Sequence, residues 1–173
     1  MYTKRLLLTA GGIALALSIL VVTLAACSGG TASAAAPTTA NTRVSPTWVT
    51  PDASGTSVSV AEDVVKSKVN VDFELPTDKG TAYFMAYEYG GKTYVRADVC
   101  VPCRSVSFTL YKGTLVCDTC GTVFKAADGT GVSGGCVSYP KASVPYQTVD
   151  GKIVMTQADL ITAFENTLQP GLP

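Results

Sequence analysis

The sequence of 173 residues predicts a mainly β fold, a small antiparallel β domain with one or two peripheral helices. Apolar and polar residues alternate in several short runs, which is the period of a half-buried strand. Pairs that favour tight turns, such as Gly90-Gly91 and Asp150-Gly151, separate neighbouring runs. A helical apolar face follows near the C-terminus. Together these patterns favour hairpins over βαβ units.

The first elements of the domain are a short helix and a strand. Ser59-Val60-Ala61-Glu62 fits a capping box, in which Ser bonds forward and Glu reaches back, so we expect a helix through about Ser67. From Val69 to Leu75, apolar residues then alternate with polar ones, which predicts a half-buried strand. Pro76 is expected to end it.

Three hairpins and a terminal helix complete the predicted domain. The helix is expected to begin at the cap pattern Thr156-Gln157-Ala158-Asp159 and to place Leu160, Ile161, Phe164 and Leu168 on one face. The hairpins join residues 81–89 to 92–97 around Gly90-Gly91, 106–110 to 114–116 around Lys112-Gly113, and 146–149 to 152–155 around Asp150-Gly151.

The N-terminus has the layout of a secretory signal peptide. Lys4 and Arg5 precede an apolar run over residues 6–24, followed by Ala25-Ala26-Cys27. Leu24-Ala25-Ala26-Cys27 resembles the bacterial lipobox, in which the cysteine is acylated and becomes the first mature residue. We therefore predict a signal peptide over 1–26 and lipidation at Cys27, with an uncleaved transmembrane anchor as the alternative.

Residues 27–57 are rich in Ser, Thr, Ala, Gly and Pro and are predicted to be a flexible, lipid-anchored linker. Trp48 is its only large aromatic residue. The remaining segment, 58–173, is long enough for one hydrophobic core and too short for two. The expected location is the extracytoplasmic face of the cell membrane.

The charge balance gives no sign of a nucleic-acid partner. Removing the leader takes out Lys4 and Arg5, which leaves 11 Lys and Arg against 13 Asp and Glu. A mature chain with two excess negative charges lacks the basic surface that nucleic acid or acidic lipid requires. The expected contact with the membrane is therefore the lipid anchor.

Two Cys-x-x-Cys pairs carry the chemistry predicted for the domain. Cys100-Val-Pro-Cys103 and Cys117-Asp-Thr-Cys120 are separated by thirteen residues that include a hairpin. Two residues between cysteines allow a tight turn to bring both sulfurs to about 3.5–4 Å, as metal–sulfur bonds of about 2.3 Å require. This arrangement is typical of zinc ribbons and rubredoxin-like iron sites.

Disulfides are the alternative, because a secreted domain lies in an oxidising compartment. The domain holds five cysteines, however, and pairs so close in sequence cannot link distant parts of a fold. The chain contains no histidine, which excludes Ser–His and Cys–His nucleophiles and His-ligated metal sites. No enzyme activity beyond electron transfer is indicated.

Cys136 follows Gly134-Gly135, and two glycines permit a close backbone approach. We predict that Cys136 lies near the metal centre, either as a fifth ligand or as a thiol that displaces one. An ordinary buried free cysteine is the alternative.

From about Val69 to Leu160, the two Cys-x-x-Cys pairs, Gly121, Gly134-Gly135-Cys136 and the 145–154 stretch resemble the membrane iron–sulfur FtrD-like family. The resemblance implies an iron–sulfur cluster, an association with bacterial iron uptake, and ligands drawn from Cys100, Cys103, Cys117, Cys120 and Cys136. Some members of that family span the membrane many times. The lipid anchor predicted here argues against a direct transport role.

A more distant resemblance is to Rieske proteins. Residues 117–124, Gly129 and the Tyr146–Val154 stretch resemble the second Rieske ligand loop and its following strands, with Cys120 where Rieske proteins have histidine. An all-cysteine version would have a lower reduction potential, since thiolate adds negative charge.

Three functions remain open from sequence. The first is a membrane-anchored iron–sulfur protein for electron transfer or iron handling, working with a membrane redox or iron-uptake complex. The second is a binding module supported by a closed structural zinc site. The third is a copper(I) chaperone, since thiolates also favour that ion.

Overall fold

The computed structural model describes residues 41–171. The predicted signal peptide, Cys27 and the first part of the predicted linker lie outside this range. The strands are β1 (Thr47–Trp48), β2 (Asp52–Ser54), β3 (Ser57–Ala61), β4 (Asn70–Thr77), β5 (Gly80–Tyr89), β6 (Lys92–Ala97), β7 (Phe108–Tyr111), β8 (Thr114–Cys117), β9 (Val123–Lys125), β10 (Gly131–Ser133), β11 (Gln147–Val149) and β12 (Lys152–Thr156), and the helices are α1 (Glu62–Lys68) and α2 (Gln157–Thr167). Among the described residues, no helix is long and apolar enough to cross a membrane.

The strands form three four-stranded sheets. Their orders are β1-β4-β5-β6, β10-β9-β8-β7 and β11-β12-β3-β2. β1 pairs in parallel with β4, and the other strand pairs described are antiparallel. The predicted mainly β, antiparallel fold with two helices is confirmed.

The three predicted hairpins are also confirmed. β5–β6, β7–β8 and β11–β12 are each joined by two residues in the left-handed region, with φ of 60° and 74° at Gly90-Gly91, 48° and 72° at Lys112-Gly113, and 49° and 72° at Asp150-Gly151. Two consecutive positive φ angles match the right-handed twist of the strands, which is why these dipeptides predict hairpins so well.

Two hydrophobic clusters share the β1-β4-β5-β6 sheet. The apolar core contains Val58, Val60, Val65, Val71, Phe73, Leu75, Ala82, Phe84, Ala86, Val95, Ala142, Val144, Ile153, Met155, Leu160 and Ala163. The cysteine core contains Val69, Met85, Tyr87, Cys100, Phe108, Leu110, Leu115, Cys117, Phe124, Ala126 and Cys136. Alternate residues of β5 enter the two cores, because successive side chains of a strand point to opposite faces.

Burial on both faces corrects the prediction for β4. Its alternation indicated a half-buried strand with Asn70 and Asp72 facing solvent, but both residues are fully buried. Their face lies against the cysteine core, where Asn70 donates its side-chain amide to the carbonyls of Phe108 and Val44. β4 also continues through Pro76 to Thr77.

The predicted linker is wrong from residue 41 onward. Val44 exchanges two backbone hydrogen bonds with Leu110, at 2.9 and 3.0 Å, and β1 and β2 pair with β4 and β3. Trp48 packs edge-on against Tyr83, with ring centroids 6.2 Å apart. Small polar residues gave no periodic signal here. Val44 and β1 pair with segments that lie far away in sequence, whereas β2 pairs with the neighbouring β3.

The helices are only partly as predicted. Residues 59–61 belong to β3, and α1 begins at Glu62 with Ala61 as N-cap and no side-chain cap bond, so the capping box is wrong. Thr156 does cap α2, accepting from the Asp159 backbone N–H at 3.0 Å. Leu160 is buried, whereas Ile161 and Leu168 are 37% and 38% exposed and lie at the edge of the predicted face.

Candidate metal centre

The two Cys-x-x-Cys segments form loops with the same backbone hydrogen bonds. In the first loop, the Cys100 N–H bonds to the Ser105 carbonyl at 2.8 Å, and the Arg104 N–H to the Cys100 carbonyl at 2.6 Å. In the second, the Cys117 N–H bonds to the Thr122 carbonyl and the Gly121 N–H to the Cys117 carbonyl, both at 2.9 Å. Each chain reversal thus holds its two sulfurs on one side.

A positive φ angle closes both loops at the same position. Gly121 has φ of 69°, as expected for a glycine after the second pair, and Arg104 has φ of 59°. Arg104 is exposed, so its side chain takes this conformation without a clash against the core. The sequence indicated the turn at Gly121 but gave no signal at Arg104, because non-glycine residues rarely adopt this region.

Cys136 reaches the site through a third loop that contacts Thr122. The Cys136 N–H donates to the Thr122 hydroxyl at 3.2 Å. Gly134 has φ of 110°, and a Cβ there would lie 2.6 Å from that hydroxyl oxygen. Only glycine permits so close an approach. Thr122, which sequence reasoning missed, therefore ties the second cysteine loop to the third.

The five cysteine sulfurs of the domain converge. The Sγ–Sγ distances are 3.8 Å for Cys100–Cys120, 3.6 Å for Cys103–Cys117 and 3.6 Å for Cys120–Cys136. They far exceed the disulfide bond length of about 2.05 Å, and all five cysteines are free. The distances match the edges of a tetrahedron of sulfurs around a metal ion, about 3.8 Å for bonds of about 2.3 Å.

The most compact group of four is not the two complete Cys-x-x-Cys pairs. The sulfurs of Cys100, Cys103, Cys120 and Cys136 all lie within 4.8 Å of one another, and Cys117 stands beside Cys103. The expected proximity of Cys136 is found. Its role as a ligand stays a prediction, as do the roles of the other four.

The site has a buried side and an open side. Cys100, Cys117 and Cys136 are buried, Cys103 is half-buried and Cys120 is exposed. Burial raises the pKa of the Cys100 thiol well above its ordinary value. Burial also raises the pKa of Cys120, but hydrogen bonds from the Thr122 hydroxyl and backbone outweigh it and lower that pKa to about 6. The lowered pKa thus belongs to the thiol at the open edge.

Side chains around the second loop fix its position. The carboxylate of Asp118 accepts from the hydroxyls of Ser107 and Thr109, at 2.6 and 2.7 Å, which links the loop to β7. The three basic residues that the sequence places near the pairs, Arg104, Lys112 and Lys125, are all exposed. A fourth, Lys141, is fully buried and gave no signal in sequence, since lysine rarely occurs in a core.

The two methionines of the domain, Met85 and Met155, are both buried in hydrophobic cores. They are 0% and 2% exposed and belong to the cysteine core and the apolar core respectively. Buried positions of this kind are typical of methionines that fill space in a core.

Three loops of this β domain bring five free thiols together. The domain therefore belongs to the class of thiolate metal-binding proteins. Sequence comparison identifies the family. The profile of the membrane iron–sulfur containing FtrD-like proteins matches residues 58–166, and the chain belongs to that family. Five converging thiols fit the cofactor named in the family's description, since iron–sulfur clusters are held by cysteine thiolates. The cofactor of this chain is an iron–sulfur cluster.

Solved structures show more distant likeness. The ferredoxin of carbazole 1,9a-dioxygenase from Nocardioides aromaticivorans matches with a TM-score of 0.46 and 15% identity, over 62% of this chain and 98% of the ferredoxin. A plasma membrane Rieske protein from Synechocystis matches with a TM-score of 0.41 and 18% identity, over 56% of this chain and 94% of that protein. No curated protein sequence matches the chain.

Proposed function

We propose that this chain is a lipid-anchored iron–sulfur protein that transfers electrons at the extracytoplasmic face of the membrane. The observation that carries the proposal is the convergence of five thiols on a site with one open edge, at Cys120. When bound, an iron–sulfur cluster supplies reversible electron transfer. An open edge lets a partner protein approach this centre without unfolding the loops.

The residues of the chain would hold the cofactor and control its surroundings. Four ligands are needed, and Cys100, Cys103, Cys120 and Cys136 are the group in closest mutual contact. Cys117, 3.6 Å from Cys103, is the remaining candidate. The Thr122 hydroxyl, 3.2 Å from the Cys120 sulfur, is placed to donate to a thiolate. Phe108 and Phe124 exclude water from the buried side.

Membrane attachment through Cys27 is the second part of the proposal. It rests on the Leu24-Ala25-Ala26-Cys27 motif and is consistent with a family of membrane proteins. A protein held at that surface is positioned to work with a membrane redox or iron-uptake complex. We expect Cys27→Ala to leave a full-length precursor that is neither lipidated nor cleaved. Normal cleavage and partition into the detergent phase would overturn the anchor.

A structural zinc site is the alternative that the sequence left open, since four sulfurs within 4.8 Å of one another would also suit a single tetrahedral ion. In that case the domain is a binding module with no redox chemistry. Copper(I) handling, also open from sequence, is tested by the same experiment.

The test is to purify the full chain without oxygen and measure iron, sulfide, zinc and copper together with the visible absorption spectrum. We expect iron and sulfide, with colour that bleaches on reduction. Colourless protein with stoichiometric zinc would establish the module instead, and copper would establish the chaperone.

Single Cys→Ser variants at the five positions then assign the ligands. We expect Cys100→Ser, Cys103→Ser, Cys120→Ser and Cys136→Ser to lose the spectrum, and Cys117→Ser to keep it with a shifted potential. Cys27→Ser is the matched control, because it removes a cysteine from outside the domain. Loss in Cys117→Ser with retention in Cys136→Ser would restore the two Cys-x-x-Cys pairs as the ligand set.

A further inference from the structure

Lys141 is fully buried and firmly positioned next to the cysteine core. Its side-chain ammonium donates to the Val99 carbonyl at 2.6 Å and lies 4.4 Å from the ring centroid of Phe124 and 5.2 Å from that of Phe108. Both rings belong to the cysteine core. Val99 directly precedes Cys100, so this hydrogen bond joins Lys141 to the start of the first cysteine loop.

The backbone of Lys141 is held on both sides. Its N–H donates to the Gly129 carbonyl, and its carbonyl accepts from the guanidinium of Arg96, both at 2.9 Å. A Cβ on Gly129 would lie 2.3 Å from the Lys141 carbonyl oxygen. The backbone from which the Lys141 side chain extends is therefore fixed in position.

A buried ammonium needs negative charge nearby, because an unpaired ion in a core is costly. An ammonium has three donors, and Val99 accepts from one. Burial lowers the pKa of Lys141, while Cys100, Asp98, Cys117 and Cys136, when ionised, act in the opposite direction. Three of those four groups are cysteines of the proposed site. Asp98, the fourth, also interacts with the carboxyl group of Asp72. Its charge therefore balances that of Lys141 only in part.

We propose that Lys141 is the internal counter-ion of the cysteine site, stabilising its thiolates when metal is bound. This inference rests on the proposed metal-binding function. A site with four thiolates carries excess negative charge around any divalent or mixed-valence metal. A fixed positive charge on its buried side, where solvent does not screen it, strengthens metal binding and favours the reduced, more negative form.

The first test measures Zn²⁺ binding to the metal-free full chain in detergent, by competition with a chelator. Lys141→Met removes the charge at similar length, and Lys141→Gln also removes it but keeps a donor for Val99. We expect both to bind Zn²⁺ more weakly by on the order of tenfold or more, since one poorly screened charge contributes more than about 1.4 kcal/mol. Lys141→Arg should recover part of the loss.

Lys125→Met is the matched control, because it removes one positive charge from an exposed position at the end of β9, next to Phe124. Zn²⁺ affinity should stay within about twofold of wild type there, as solvent and salt screen exposed charges. Equal Zn²⁺ affinity in wild type, Lys141→Met and Lys141→Gln, with circular dichroism unchanged, would overturn the proposal. If Lys141→Met does not fold, Lys141→Gln decides.

The second test is the midpoint potential of the iron-loaded chain. We expect Lys141→Gln to lower the ratio of reduced to oxidised protein at a fixed potential by about tenfold, which is a shift of about 59 mV for one electron. An unchanged potential in a fully loaded variant contradicts the counter-ion role and leaves the electron-transfer function intact. The opposite result is wild-type protein that holds no iron but whose Zn²⁺ affinity depends on Lys141. It would support the counter-ion role of Lys141 and contradict the electron-transfer function.

Discussion

The apolar core and the cysteine core pack against opposite faces of one sheet, but different interactions hold them together. The apolar core consists of aliphatic and aromatic side chains in mutual contact. The cysteine core is bordered by buried polar groups that need specific partners, including Arg96, Thr122 and Lys141. We infer that the apolar core is stable by itself and that the cysteine core depends on its metal.

The largest expected effect is the loss of metal from the cysteine core. Cys120→Ser, or treatment with a strong chelator, should remove binding free energy of about 10 kcal/mol, as in zinc peptides whose folding depends on metal. Hydrogen exchange should then accelerate in β7 to β10 and stay slow in β3 and β12. Equal acceleration in both regions would show one cooperative unit and break the comparison.

Truncation in the apolar core should have the next largest effect. Phe73 is fully buried and stacks on Phe84 with centroids 5.5 Å apart. Phe73→Ala should lower the free energy of unfolding by about 3–5 kcal/mol through lost burial and a cavity, measured by urea titration. Metal content of the folded fraction should not change. Trp48→Ala, at a 49% exposed position, is the control and should cost much less.

A buried acid pair gives the cysteine side of the sheet a pH dependence. The carboxyl oxygens of Asp72 and Asp98 are buried and have no hydrogen-bond partner among the described residues. Burial, and then the charge of Asp98, raise the pKa of Asp72 far above its ordinary value of 3.8. The folded state therefore holds the proton more tightly than the unfolded state, so stability is greatest below the unfolded pKa and falls as pH rises.

Asp72→Asn should thus stabilise the domain increasingly as pH rises above the ordinary value of 3.8, by about 1–3 kcal/mol, because an amide stays neutral in the core without the proton that the buried carboxyl must take up on folding. Melting temperatures of wild type and variant, measured between about pH 5 and about pH 9, would follow this change in stability. Asp63→Asn makes the same change at an exposed position and should have a flat difference profile. A flat profile for Asp72→Asn as well would contradict the raised pKa.

The smallest expected effect is at the start of α2. Thr156→Ala removes the hydroxyl that accepts from the Asp159 N–H at 3.0 Å and should cost about 1 kcal/mol. The melting temperature should fall slightly, and the metal spectrum should stay the same. A change in the spectrum would mean that the apolar core and the metal centre are more tightly coupled than their separate packing indicates.

Local patterns predicted most of the fold. Gly90-Gly91, Lys112-Gly113 and Asp150-Gly151 fixed three hairpins because two-residue turns depend on the residues within them. Thr156 indicated the start of α2 for the same local reason. The pairing of β1 with β4 could not be predicted, because it depends on contacts between distant segments that carry no periodic signal.

The sequence indicated which cysteines lie together at the candidate site but not the residues that support them. Cysteine spacing indicated both loops, and Gly134-Gly135 indicated the approach of Cys136. Thr122 and Lys141 act through long-range contacts to the Cys136 loop and to Val99, and a threonine or a lysine by itself has many ordinary roles. Such residues become visible only when the fold shows what surrounds them.

The backbone pairing of Val44 with Leu110 sets how far the metal centre can travel from the bilayer. Under the proposed lipid anchor, seventeen residue steps separate Cys27 from Val44 and can span at most about 60 Å. A linker ending at Ser57 would reach about 100 Å. The shorter span keeps the metal centre closer to the membrane surface. A protein that exchanges electrons with it must therefore place its own redox site within the same distance of the membrane.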